Sequence, residues 1–130
     1  MLSRDHDPNT LFTRFDLEQG AEGYGKPVHC DLPNRIASLV LYFCDADEIE
    51  MEGGQLCLHE PTAATDPRKA KRYPREEDTR VVARVTPRHN TGVFFLCCNT
   101  SYHSVTPIIT QAGYRRFVYI NISSRAKSIW

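Results

Sequence analysis

The chain has 130 residues, enough for one domain around one core, and its 16 Lys and Arg balance 16 Asp and Glu to a formal net charge of zero. That balance offers no general attraction to nucleic acid or an acidic membrane, and no apolar run is long enough to span a bilayer. The first residues, Met1 to Asp7, lack the apolar stretch of a signal peptide. The five cysteines (Cys30, Cys44, Cys57, Cys97 and Cys98) lack the paired spacing of a zinc site or disulfide framework, so a reduced, cytoplasmic protein is expected.

In chain order, residues 1–10 are polar and expected to be loose. Leu11 to Phe15 alternates well enough for a strand, and Gly20, Gly23 and Gly25 punctuate a turn-rich connection. Lys26 to Asp31 reads as a short strand, Leu32-Pro33-Asn34 as a turn, and Ile36 to Phe43 as a strong strand apolar on both faces. Asp45 to Glu52 is an acidic loop, and Gly53-Gly54 precedes a strand from Gln55 to His59. Residues 60–79 hold three prolines and mixed charge and read as a long loop. In it, the basic run Arg68 to Arg72 meets Glu76-Glu77-Asp78, which suggests a solvated segment, with a lid over substrate as the alternative. Strands follow at Arg80 to Thr86, Val93 to Cys98, Tyr102 to Thr106 and Tyr114 to Ile122. No amphipathic helix, repeat or linker is visible. Many short strands separated by turn signals predict an all-β sandwich or jelly roll in a single domain over 1–130.

The chemistry is concentrated in His29-Cys30-Asp31. On an extended strand, residues i and i+2 share a face, so His29 and Asp31 can aim an imidazole and a carboxylate at one point. A second imidazole would complete two histidines and one carboxylate on one face of a metal, leaving other positions open. Taken alone, the pair reads equally as a hydrogen-bonded surface loop. His6, His59 and His89 match no such pattern and read as ordinary polar residues, and Cys97-Cys98 reads as core filler.

The ordered set Tyr24-Gly25-Lys26-Pro27-Val28-His29-Cys30-Asp31, Arg35 opening a strand that ends Leu41-Tyr42-Phe43, Gly53-Gly54-Gln55-Leu56, Val93-Phe94-Phe95, Ser101-Tyr102-His103-Ser104-Val105 and Gly113-Tyr114-Arg115 resembles the Fe(II)/2-oxoglutarate-dependent dioxygenases. It is most similar to their prolyl 4-hydroxylase-like branch. The resemblance covers roughly residues 24–122 and implies a double-stranded β-helix, a cupin-like jelly roll. It implies that His29, Asp31 and His103 bind Fe(II). It also implies that Arg115 forms a bidentate contact with the far carboxylate of 2-oxoglutarate, while the Tyr42 hydroxyl donates to the same group. Tyr42 also fits a plain core tyrosine. The activity implied is oxidative decarboxylation of 2-oxoglutarate to succinate with molecular oxygen, coupled to hydroxylation of a small-molecule or peptide substrate. Ascorbate is an accessory the resemblance allows. The alternatives are a cupin-type metal enzyme that does not use 2-oxoglutarate and a non-catalytic jelly-roll binding module. Asp31 disfavours a halogenase, because those relatives lack this carboxylate.

Two departures from the family pattern matter. The His103–Arg115 interval is longer than usual, which leaves Arg116 as a rival. Alternation groups Arg115 with Phe117, Tyr119 and Asn121, and Arg116 with Val118, Ile120 and Ile122, so hydrophobicity alone would turn Arg116 inward. Family spacing from Gly113 selects Arg115. The second departure is that too little sequence precedes His29 to form the helices that usually cover the larger sheet. Strands apolar on both faces therefore predict a second copy, another chain or a missing N-terminal segment over the outer face, unless residues 1–23 fold back as partial cover.

Overall fold

The computed structural model describes residues 8–62 and 66–130. The expectation of loose residues at 1–10 therefore falls mostly outside the described part. The described residues form eight strands: β1 (Leu11–Gly20), β2 (Lys26–His29), β3 (Arg35–Tyr42), β4 (Leu56–Pro61), β5 (Thr79–Val85), β6 (Gly92–Leu96), β7 (Tyr102–Val105) and β8 (Arg115–Ser124). They form two antiparallel four-stranded sheets, ordered β1-β8-β3-β6 and β2-β7-β4-β5. This is the jelly-roll arrangement predicted from the short, evenly punctuated strands. No helix among the described residues is long and apolar enough to cross a membrane.

The core lies between the sheets. Val40, Tyr42, Val93 and Phe117 from one meet Leu56 and Val105 from the other, with Tyr24, Leu58, Val85, Phe95 and Tyr119 packed around them. Alternation then fixes what β8 turns inward. Phe117 is in the core, so Arg115, Tyr119 and Asn121 share its face, while Arg116, Val118, Ile120 and Ile122 point out. Pairing of β2 with β7 sets His29 opposite His103, which brings residues 74 positions apart onto one end of the barrel.

Two boundaries differ from expectation in ways that matter for the site. β2 ends at His29, and Asp31 stands beyond it. The chain turns only after Asp31, where the Arg35 N–H donates to the Leu32 carbonyl. β1 runs five residues further than its alternation suggested, and it lies in the plane of the sheet, paired along its whole length with β8.

The Gly53-Gly54 turn is required by space. Both residues have positive φ, and a Cβ on Gly53 would overlap the Pro107 carbonyl. This tight passage leaves the Gly54 carbonyl free to accept a hydrogen bond from Arg115.

Candidate metal centre and cosubstrate pocket

The ligand atoms of His29, Asp31 and His103 lie within 4.8 Å of one another, the only such group of metal-ligating side chains among the described residues. Each histidine is oriented by its own backbone. Nδ1 of His29 donates to the Pro27 carbonyl at 2.8 Å, and Nδ1 of His103 donates to the Ser101 carbonyl at 3.1 Å. Both rings therefore keep Nε2 unprotonated and available, the tautomer a metal site needs. Phe95 packs 4.7 Å from the His103 ring and Tyr73 stacks 6.0 Å from that of His29.

Asp31 is held on every side. Arg35 Nη1 donates to Oδ1 at 2.7 Å, Ser38 Oγ to Oδ2 at 2.8 Å, and the Tyr119 hydroxyl to Oδ2 at 3.1 Å. The same Arg35 nitrogen also donates to the Tyr119 oxygen at 2.6 Å, so these donors form one network. Burial alone would raise the Asp31 carboxyl, but His103, Arg35 and the two hydroxyls outweigh it and hold the group below its ordinary value. Burial pushes His103 down to about 4, reinforced by His29 and Arg35 and opposed by Asp31. At neutral pH the site thus offers one anion and one neutral, lone-pair-bearing imidazole from this buried pair.

This has a measurable consequence for the metal-free protein. An unfolded chain protonates histidine near 6.5, whereas folded His103 stays neutral down to about pH 4. Between those values the unfolded state binds the extra proton, so acid draws the protein towards unfolding, by up to about 3 kcal/mol. Asp31, held below its ordinary value, adds a loss of the same sign at still lower pH. The melting temperature is expected to fall between pH 6.5 and 4.5, and His103→Gln should flatten that slope. An unchanged slope in the variant would assign the acid sensitivity elsewhere.

Arg115 sits at the other end of the same cavity and is only 1% exposed. Nε donates to the Gly54 carbonyl at 2.9 Å and Nη2 to the Tyr42 hydroxyl at 3.2 Å, while Nη1 is buried with no partner. Its guanidinium carbon lies 4.3 Å from the Phe117 ring centroid, 5.2 Å from that of Tyr42 and 5.6 Å from that of Tyr24. Among the described residues, none of its hydrogen bonds goes to a carboxylate. A buried cation with an unpaired N–H is costly unless an anion joins it. Arg116 is exposed and donates to Gln19.

Between Arg115 and the histidines lies a cavity of about 260 Å³, walled by Val40, Leu56, Phe95, Val105 and Phe117. The charged side chains Arg14, Asp16, Glu18, Lys26 and Arg72 also border it. A larger groove of about 680 Å³ crosses the back of the smaller sheet past Cys57, His59 and Ser104, but it contains none of the three ligands.

Sequence reading missed several parts of this site. Ser38 and Tyr119 brace Asp31, and alternation from Val40 and from Arg115 could have placed both inward. The long loop is docked beside the ligand set. The Cys30 N–H donates to the Arg72 carbonyl at 2.9 Å, Arg72 Nε donates back to the Cys30 carbonyl, and the Tyr102 hydroxyl donates to the Lys71 carbonyl. No local pattern announces such a contact. All five cysteines are free. Cys97 is core filler as expected, with its thiol pushed by burial to about 12, whereas Cys98 is exposed.

Residues 13–122 match the profile of the 2OG-Fe(II) oxygenase superfamily. The chain belongs to that family. The fold agrees with the crystal structure of an oxidoreductase of the 2OG-Fe(II) oxygenase family from Burkholderia pseudomallei, at 15% identity and a TM-score of 0.58. That match takes in 92% of this chain and 50% of the other, so the chain spans about half the length of its structural neighbour. No curated protein sequence matches it.

Proposed function

We propose that the protein is an Fe(II)- and 2-oxoglutarate-dependent dioxygenase, a hydroxylase of the prolyl 4-hydroxylase-like branch. It would convert 2-oxoglutarate to succinate as it hydroxylates a C–H bond of a small-molecule or peptide substrate. The observation that carries this reading is Arg115. A buried guanidinium with no carboxylate partner among the described residues and one orphaned N–H lines the same cavity as two histidines and an aspartate. A small dicarboxylate answers both needs, with one end near the ligand set and the other paired to Arg115 and Tyr42.

The residues fit the metal as well. His29, Asp31 and His103 would hold Fe(II) through two imidazole nitrogens and one carboxylate oxygen. When bound, the iron with 2-oxoglutarate supplies the oxygen chemistry that no side chain can perform. The chain's own part is positioning. Pro27 and Ser101 carbonyls aim the imidazoles, and Arg35, Ser38 and Tyr119 fix the carboxylate. Val40, Leu56 and Phe117 keep water from the far carboxylate, which strengthens its pairing with Arg115. Five free thiols fit a reducing, cytoplasmic setting, and ascorbate is a suitable accessory reductant for such a site.

The test is succinate formation from 2-oxoglutarate under air with added Fe(II). Slow production even without substrate, abolished by chelation and by omission of oxygen, is expected. Metal binding with no 2-oxoglutarate consumption across a panel of prolyl peptides, amino acids and sugars would favour the non-catalytic module. Turnover of another substrate that ignores 2-oxoglutarate would favour the cupin reading.

A further inference from the structure

The outer face of the β1-β8-β3-β6 sheet is apolar across its full width. Strand register aligns Phe15, Ile120, Leu39 and Phe94 in one row, and Leu17, Val118 and Leu41 in the next. A third row holds Ile122, Ala37 and Leu96, with Thr13 at its edge. The edge-strand members stand open to solvent: Phe15 is 67% exposed, Leu17 88%, Phe94 61% and Leu96 68%. No charged side chain occurs within the three rows. Phe43 continues the apolar surface, and Arg116 stands beside it at one corner. Soluble monomers seldom leave so broad an apolar face bare.

We propose that a second copy of this chain covers this face, so that the two larger sheets pack face to face across a two-fold axis. The area supports that occupant. With large apolar side chains contributing about 150–200 Å² each when fully open, Phe15, Leu17, Phe94 and Leu96 together with Phe43 and Ile122 leave roughly 560–750 Å² open, near the lower end of the share each partner gives to a stable interface. Charge supports it too. Two identical faces without charge meet without repulsion, whereas an acidic lipid surface would require a basic rim, and at the described border Arg116 is accompanied by acidic Glu18 and, past Phe43, Asp45 and Glu48. Sheet faces are natural partners for sheet faces, stacking about 10 Å apart with interdigitated side chains. Within the described residues, 11–20 add to the face as β1 and do not cover it. At the other end, Ile129 and Trp130 are tied to the Pro33 and Arg35 carbonyls. The cavity lies on the opposite side of this sheet, so pairing leaves the metal centre open.

Sedimentation equilibrium at low micromolar concentration tests the proposal. The expected result is a single species of twice the 14.9 kDa chain mass. Phe94→Glu and Leu17→Glu, each at a position exposed in the single chain, should weaken association at least 100-fold. Both should leave the circular dichroism spectrum and Fe(II) binding unchanged. A wild-type monomer, aggregates without a defined mass, or a dimer indifferent to both substitutions would each overturn it. So would a monomer that binds neutral phospholipid vesicles, because lipid would then be the occupant.

Discussion

Arg115→Ala is expected to raise the apparent Michaelis constant for 2-oxoglutarate by two to three orders of magnitude while leaving Fe(II) binding close to wild type. Cutting one side of a buried, hydrogen-bonded charge pair leaves the carboxylate desolvated and unmatched, a loss of about 3–5 kcal/mol. The separation between cosubstrate and metal follows from geometry. Arg115 bonds to Gly54 and Tyr42, and neither touches His29, Asp31 or His103. Arg115→Lys should recover only part of the affinity, because an ammonium keeps the charge but not the planar fork. Arg116→Ala serves as the control, since that side chain is solvated and bonds only to Gln19. If Arg116→Ala produced the cosubstrate defect and Arg115→Ala did not, the assignment on β8 would be wrong by one residue.

Asp31→Ala and His103→Ala are each expected to abolish turnover through loss of iron, but their effects on the metal-free fold should differ. Asp31 accepts from Arg35, Ser38 and Tyr119, so alanine there leaves a mostly buried guanidinium without its counter-ion. A destabilisation of about 3–5 kcal/mol follows from that loss alone. Asp31→Asn retains an acceptor for Arg35 and should keep most of the stability while still binding iron poorly. His103→Ala removes one ring from a partly apolar wall and no counter-ion. Its metal-free form should be the more stable of the two alanine variants at pH 7. Equilibrium dialysis for iron and thermal melts separate the two effects. Wild-type succinate production in either alanine variant would remove that residue from the site.

How the site could be read in the chain depends on how local each signal is. The strands were legible because turn residues bracket apolar runs, and Ile36–Phe43 differs from the observed β3 by one residue at each end. Arg115 shows where pattern reasoning fails. Both faces of β8 are apolar, so hydrophobicity cannot tell the barrel interior from a bare outer face and points to Arg116. Buried Arg115 and half-buried Tyr119 face inward, where they serve the cavity and the Asp31 network, and buried Asn121 shares their face. The i, i+2 spacing of His29 and Asp31 is legible in the chain and their ligand atoms converge, although β2 ends at His29 and Asp31 lies two residues beyond it. The bracing of Asp31 by Ser38 and Tyr119, 7 and 88 residues away, arises only when β3 and β8 are neighbours. The docking of Arg72 on Cys30 is likewise a tertiary event, in a loop whose composition reads as a solvated segment or, alternatively, a lid.

The central claim is that one cavity holds Fe(II) at His29, Asp31 and His103 and 2-oxoglutarate between that metal and Arg115. An anaerobic titration of the wild-type protein with Fe(II) and then 2-oxoglutarate tests it most directly. The account predicts a weak visible charge-transfer band that saturates at one 2-oxoglutarate per chain, is absent with either component alone, and is lost in Asp31→Ala. In Arg115→Ala the band should appear only at far higher 2-oxoglutarate. Tight iron binding with no band at any 2-oxoglutarate concentration would contradict it.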